Sequence, residues 1–315
     1  MGRASGVRSG LRCLDPGYAL YFLYGGRAEN VPLPNETRSL PRFATQLLLK
    51  TPTVVVRDVY CAGSCVHPGV EEFASATEIV FPYRGVYVRH LGQDQAVAEA
   101  NQVLFFNSGE GYQVSHPVSG GDASLSLAIC EPLLRELAPR IFLREGPKLA
   151  FRRQRLRIDA RAQALVALLR HSLRQNIAEP LEAESLALTL IQRALGLRTT
   201  HAAGASVGRQ RLVDRVKLVL ASDLGRRWTL AEIAGEVRGS PVYLTQVFQQ
   251  VEGLPLYRYQ LRLRLARALD LIGQYDDLTA LSLDLGFSSH SHFSAAFREA
   301  YGRSPSEFRQ SALHR

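Results

Sequence analysis

Between residues 230 and 302 this chain of 315 residues writes one helical pattern twice. Leu230, Ile233, Ala234 and Val237 recur 48 positions later as Leu278, Leu281, Ser282 and Leu285, and Leu244, Phe248 and Gly253 recur 49 positions later as Phe293, Phe297 and Gly302. The change of offset places one extra residue in the second copy, inside its turn. Each copy reads as a short apolar-striped helix, a turn of about three residues, an N-capping serine and a second helix ended by glycine. Two such helix pairs in tandem define an all-α domain over residues 209–315.

The second helix of each pair is amphipathic in an informative way. Leu244, Val247 and Phe248, then Phe293 and Phe297, supply an apolar inner face. The outer face carries Pro241, Val242, Thr245, Gln246 and Gln249 in the first copy, and His290, Ser291, His292, Ser294 and Ala295 in the second. These side chains are small or polar enough to enter a DNA major groove. Gln and Ser pair with base edges, Val meets a thymine methyl, and Ser, Thr and His hold phosphates. Between the pairs, Tyr257–Ile272 reads as one long helix carrying Arg258, Arg262, Arg264 and Arg267. A rigid connector of that kind sets two reading heads about one DNA turn, ~34 Å, apart.

Charge agrees with this assignment. The formal net charge is +9, and all of the excess lies in the second half. Residues 1–130 hold one more acidic than basic residue, residues 131–207 six more basic than acidic, and residues 208–315 four more basic. A basic half of this kind is expected to meet a polyanion, here double-stranded DNA.

Residues 208–315 resemble the DNA-binding domain of the AraC/XylS family of bacterial transcription regulators. The segments that carry the resemblance are WTLAEIA, SPVYLTQVF and its following glycine, YRYQLRLRLARAL, LGFSSHSHFSAAF and YGRSPSEFR. In the last, Ser304, Pro305 and Glu307 also form a capping box with proline at the first helical position. The resemblance implies a seven-helix domain reading two successive major grooves, a homodimer, and RNA polymerase as a protein partner. By matching positions it implies base contacts from Val242, Thr245 and Gln246, and from His290, Ser291, His292 and Ala295. Ala295 departs from the longer polar side chain frequent in the family.

The first half reads differently. Residues 1–50 mix Gly, Pro, Asn and Arg without periodicity and read as a loose segment. Over residues 51–130 short apolar runs (TVVVRDVY, EIVFPY, GVYVRHL, QVLFF, YQVSH, SLSLAI) alternate with glycine turns, the pattern of an all-β domain. The strand count, the turns and FFNSGEGYQVSHP resemble the cupin-like sensor domain of the same family. Residues 131–198 form a helical extension, with helices at Leu156–Gln175 and Leu181–Leu197, which either cover the sheet or form a dimer interface. Residues 199–208 read as a linker. The expected fold is therefore α+β: an N-terminal all-β cupin-like barrel or sandwich with a helical extension, then an all-α domain with two helix-turn-helix units.

A small-molecule effector is expected inside the β-domain, with Phe81, Tyr83, Tyr87, Phe105, Phe106 and Tyr112 as its wall. His67, His90 and His116 are too scattered for the iron or manganese site of a cupin enzyme, so no cofactor and no catalysis are expected. Cys61, Cys65 and His67 lie within seven residues of one another and are the one local set suited to a soft metal or a redox pair. The chain is otherwise ordinary for a soluble protein, with 46% hydrophobic and 21% charged residues. Its apolar runs are too short to span a membrane and its start does not read as a signal peptide, so a cytoplasmic location is expected. The leading expectation is an effector-responsive, sequence-specific transcription regulator. The alternative from another class is a cupin-type enzyme with an accessory DNA-binding domain.

Overall fold

The computed structural model describes residues 43–63, 65–146, 148–196 and 206–313. Its first part is built from strands β1 (Phe43–Lys50), β2 (Val54–Cys61), β3 (Glu72–Phe73), β4 (Glu78–Gly85), β5 (Tyr87–Leu91), β6 (Asp94–Ala98), β7 (Gln102–Phe106), β8 (Gly111–Ser115) and β9 (Asp122–Ile129). Helix α1 (Glu131–Leu137) follows, then short strands β10 (Leu143–Arg144), β11 (Ala150–Phe151) and β12 (Arg155–Arg157), and helices α2 (Ala160–Arg174) and α3 (Pro180–Leu195). The strands form a six-stranded sheet in the order β1-β2-β9-β4-β7-β12 and a four-stranded sheet in the order β3-β8-β5-β6, while β10 and β11 pair only with each other. Both sheets are open, so the arrangement is a sandwich and not a closed barrel. Strand β1 occupies the end of the stretch that reads as loose, and residues 1–42 lie outside the described residues. The expected linker lies outside them too, apart from its last residues: Ser206 caps α4 (Val207–Ser222), which starts before residue 209.

Strand alternation distributes the core. On the large sheet Val56, Ile79, Phe81, Val103, Phe105, Leu125 and Leu127 face α2 and α3, which bury Val166, Leu169, Leu190, Ile191 and Leu195 against them. The leucine stripes of these helices are thus used to cover the sheet. On the opposite face Val80, Leu104 and Phe106 meet Tyr87, Ala96, Ala98, Tyr112 and Val114 of the small sheet. The outer face of the small sheet, with Val86, Val88 and Val97, packs against Leu218 and Ala221 of α4. Four layers result: helices, large sheet, small sheet, and the first helix of the second part.

That second part is entirely helical. After α4 come α5 (Leu230–Glu236), α6 (Pro241–Glu252), α7 (Leu256–Leu271), α8 (Leu278–Asp284), α9 (His290–Tyr301) and α10 (Pro305–Leu313). Its core falls into two clusters, one per copy of the repeat. Val216, Ile233, Leu244, Phe248 and Tyr259 centre the first, and Leu281, Phe287, Phe293 and Phe297 the second. Among the described residues, no helix is long and apolar enough to cross a membrane.

Candidate nucleic-acid interface

The two copies of the repeat become two helix pairs of matching dimensions. Helices α5 and α8 have seven residues each, α6 and α9 twelve each, and the turn of the second pair is one residue longer. Local chemistry sets the boundaries. Thr229 and Glu232 form a reciprocal capping box at the start of α5, while Asp277 accepts from the backbone of Thr279 and Ala280 at the start of α8. Ser289 caps α9 by accepting from the His292 amide at 3.1 Å. Ser240 makes no side-chain cap bond, and α6 relies on Pro241 at its first turn. Gly253 and Gly302 end α6 and α9 in the left-handed region, at φ 66° and 76°. The capping box of Ser304 and Glu307 opens α10 as expected.

The inner faces are closed: Leu244, Val247, Phe248, Phe293 and Phe297 are all buried. Outward, Pro241, Val242, Gln246 and Gln249 on α6 are exposed and Thr245 is half-buried. On α9, Ser291, His292 and Ala295 are exposed, whereas His290 is half-buried. Three of these side chains already have local partners. The Thr245 hydroxyl donates to the Pro241 carbonyl at 3.0 Å. His292 Nδ1 lies 3.1 Å from Ser288 Oγ, and His290 Nε2 lies 3.2 Å from Ser294 Oγ. The Gln246 and Gln249 side chains are exposed on α6 and make no hydrogen bond among the described residues.

The connecting helix turns most of its arginines to the fold itself. Of its four arginines only Arg258 is exposed, and two have structural work within the fold. Arg264 donates from Nε to the Leu224 carbonyl at 2.9 Å, from Nη1 to that of Gly286 at 2.9 Å and from Nη2 to that of Arg226 at 2.8 Å. It thereby ties the segment before α5 to the turn between α8 and α9. Arg267 pairs with Asp270. The same carboxylate receives Arg84 of β4 and Arg170 of α2, each at 2.8 Å, and these cations outweigh its burial, leaving its pKa lowered. Exposed cations available to phosphates lie instead at Arg209, Arg211, Arg227, Arg238, Arg298 and Arg303.

The expected effector wall is divided by the sandwich. Phe81 and Phe105 face the helices, whereas Tyr87, Phe106 and Tyr112 face the other sheet. Tyr83 lies at the edge, its hydroxyl donating to Asp58 at 2.6 Å and its ring under Arg170 at 3.8 Å. The space between the sheets is filled by Arg89, which is fully buried. Its guanidinium sits 4.1 Å from the Phe106 ring centroid, donates to the Phe105 carbonyl at 2.7 Å and pairs with Glu110 at 3.1 Å. A different space opens between the sandwich and the helical part. It is an open cleft of about 190 Å³ lined by Tyr83, Arg84, Glu99, Gly120, Leu263 and Arg267, among others.

The cysteine set is also rearranged. His67 is exposed and takes no part. Cys61 is a buried free thiol, and Cys65 is disulfide-bonded, so these two do not form a redox pair with each other. Their common neighbour is His116. Burial opposes charge on its ring, but hydrogen bonds with Asp122 and Cys61 prevail and raise its pKa to about 9.

Comparison with known proteins bears on the helical part most directly. A family model described as a helix-turn-helix domain matches residues 233–311, a span that begins within α5 and runs into α10. The chain is 26% identical over 235 residues to the probable transcriptional regulator LumQ of Photobacterium leiognathi, covering 72% of this chain and 89% of LumQ. It is 30% identical over 107 residues to the transcriptional activator RhaR of Klebsiella pneumoniae, covering 34% of this chain and 38% of RhaR. Among solved structures, a regulator from Chromobacterium violaceum described by its AraC-type DNA-binding domain is similar at 28% identity and a TM-score of 0.32, over 35% of this chain and 98% of that one. ToxT of Vibrio cholerae is similar at 13% identity and a TM-score of 0.34, over 83% of this chain and 98% of that one. With two capped helix pairs, each leaving one face exposed, the chain carries a helix-turn-helix domain over residues 233–311 and is similar to DNA-binding transcription regulators.

Proposed function

We propose that this regulator reads DNA with both helix pairs, laying α6 and α9 into two successive major grooves. One observation carries the reading: each of these helices buries one face in its own core and leaves the other exposed, with polar side chains (Gln246 and Gln249 on α6, Ser291 and His292 on α9) standing among small or apolar ones. In the first groove Gln246 is the principal base reader, flanked by Pro241, Val242, Thr245 and Gln249. In the second, Ser291 and His292 are the most accessible, His290 stands behind them, and Ala295 offers only apolar contact. Phosphate contacts from the exposed arginines supply salt-dependent affinity. The N-terminal sandwich is the regulatory part. A small effector fits better in the cleft beside Arg84 and Arg267 than between the sheets, where Arg89 already occupies the space. A homodimer contacting RNA polymerase completes the reading.

Selection of bound sites from random duplexes by the full chain at near-physiological salt tests it. The expected product has two conserved blocks about one helical turn apart; an absence of any enriched sequence overturns dual reading. On the selected site, Gln246→Ala is expected to lose roughly 5- to 150-fold in discrimination at one base position, with little change in non-specific affinity. A binding competition between the selected site and single-base variants measures this, and uniform weakening on all DNA removes Gln246 from the reading face.

A further inference from the structure

The residues around His116 form a constellation that DNA reading leaves unused. Cys61 ends β2, His116 follows β8 and Asp122 opens β9, so three separate strand ends converge. Their ligand atoms all lie within 4.8 Å of one another and all three side chains are buried. His116 Nε2 is 2.7 Å from Asp122 Oδ2, and its Nδ1 is 3.2 Å from Cys65 Sγ. The backbone is drawn tight around this point. Gly63 and Gly121 both lie in the left-handed region, at φ 68° and 70°, and a Cβ on Gly63 would sit 2.9 Å from the Gly121 Cα. Only glycine allows the turn after Cys61 to close so near the turn before Asp122.

We propose that Cys61, His116 and Asp122 form a binding site for a thiophilic divalent cation of the zinc class. Thiolate, imidazole and carboxylate together suit a borderline-soft ion and not the all-oxygen shell of magnesium or calcium. Ligand bonds of about 2.0–2.3 Å place tetrahedral donors roughly 3.3–3.8 Å apart, so the His116–Asp122 pair opens by less than about 1 Å from its 2.7 Å contact while Cys61 closes in from within 4.8 Å. Cys65 is held in its disulfide, which leaves the fourth position to water or an incoming ligand. Binding releases the protons of the Cys61 thiol and the His116 ring. This site is independent of the DNA-reading assignment, since it lies wholly within the sandwich.

Cobalt(II) is the probe. Titration of the untagged full chain is expected to give one bound equivalent, with thiolate-to-cobalt charge-transfer absorption in the near ultraviolet and the intense visible bands of four-coordinate cobalt. Zinc should bleach both. Cys61→Ser should abolish the charge-transfer band, Asp122→Asn should weaken binding at least roughly tenfold, and Cys130→Ser, which alters the other free thiol among the described residues, should titrate like the parent. Absence of the charge-transfer band from the parent protein overturns the site, as does its survival in Cys61→Ser or its loss in Cys130→Ser. Should Cys61→Ser fail to fold by circular dichroism, the parent and Cys130→Ser spectra still decide.

Discussion

Replacing Lys217 with methionine is expected to destabilise the chain by about 3–5 kcal/mol, because it leaves carboxylates buried without their cation. Lys217 lies on α4 and is fully buried. Its ammonium sits 2.7 Å from Glu252 at the end of α6, 4.0 Å from Glu99 after β6, and 5.3 Å from the Tyr259 ring of α7. Tyr259 in turn donates its hydroxyl to Glu99. One ammonium therefore joins the sandwich to three helices of the DNA-binding part. Burial acts to raise both carboxyls. For Glu252 the Lys217, Arg155 and Arg157 cations prevail and its pKa is lowered, whereas that of Glu99 is raised. The ionic bond is thus mainly Lys217 to Glu252, with Glu99 held as a hydrogen-bonding partner of Tyr259. Urea unfolding followed through Trp228, the single tryptophan, measures the loss. The double variant Lys217→Met/Glu252→Gln should recover a good part of it, since the uncompensated charge is then gone. A loss under about 1 kcal/mol in the single variant places the site in contact with water and refutes the argument.

How much of this was legible in the sequence depends on whether the determinant was local. The helix pairs were, since an apolar stripe, a cap and a terminating glycine all lie within one element. The sandwich was legible only where strands were apolar and bounded by glycine. Strand β6, DQAVA, lacks the β-branched density that marks a strand, and β12 is too short and too rich in arginine to register. The division of the aromatic residues between two faces is hidden for a different reason. Strand β7 is buried along its whole length because helices cover one face of its sheet and a second sheet the other; period-two alternation then vanishes, and the aromatic residues cannot be assigned to a side. The internal role of Arg264 is not legible either, because it depends on carbonyls 40 and 22 residues away. His67 was grouped with Cys61 by proximity in sequence, but strand pairing brings His116 and Asp122 to that thiol instead.

The turn between α8 and α9 carries the second large expectation. Gly286 lies in the left-handed region at φ 78°, and a Cβ there would overlap the Gly225 carbonyl oxygen and lie 2.8 Å from its carbon. The equivalent position of the first pair is Arg238, also left-handed at φ 54°, but exposed, so that its side chain has room. Two turns of the same shape thus differ because only the second is pressed against another backbone. Gly286→Ala adds the cost of a left-handed non-glycine residue to that of forcing the two segments apart, about 2–5 kcal/mol together. Arg264 bonds to both segments, so their separation also moves α9 relative to α6. The folded fraction of the variant is therefore expected to keep salt-dependent, non-specific affinity while its preference for the selected site falls towards that level. Arg238→Gly, at the matching position, should change stability by no more than about 1 kcal/mol and leave site preference intact. Equilibrium binding of both variants to the selected and to scrambled duplexes, over a range of salt, separates the two effects. Parental site preference in Gly286→Ala means that the spacing of the two reading helices is set elsewhere than at this backbone contact.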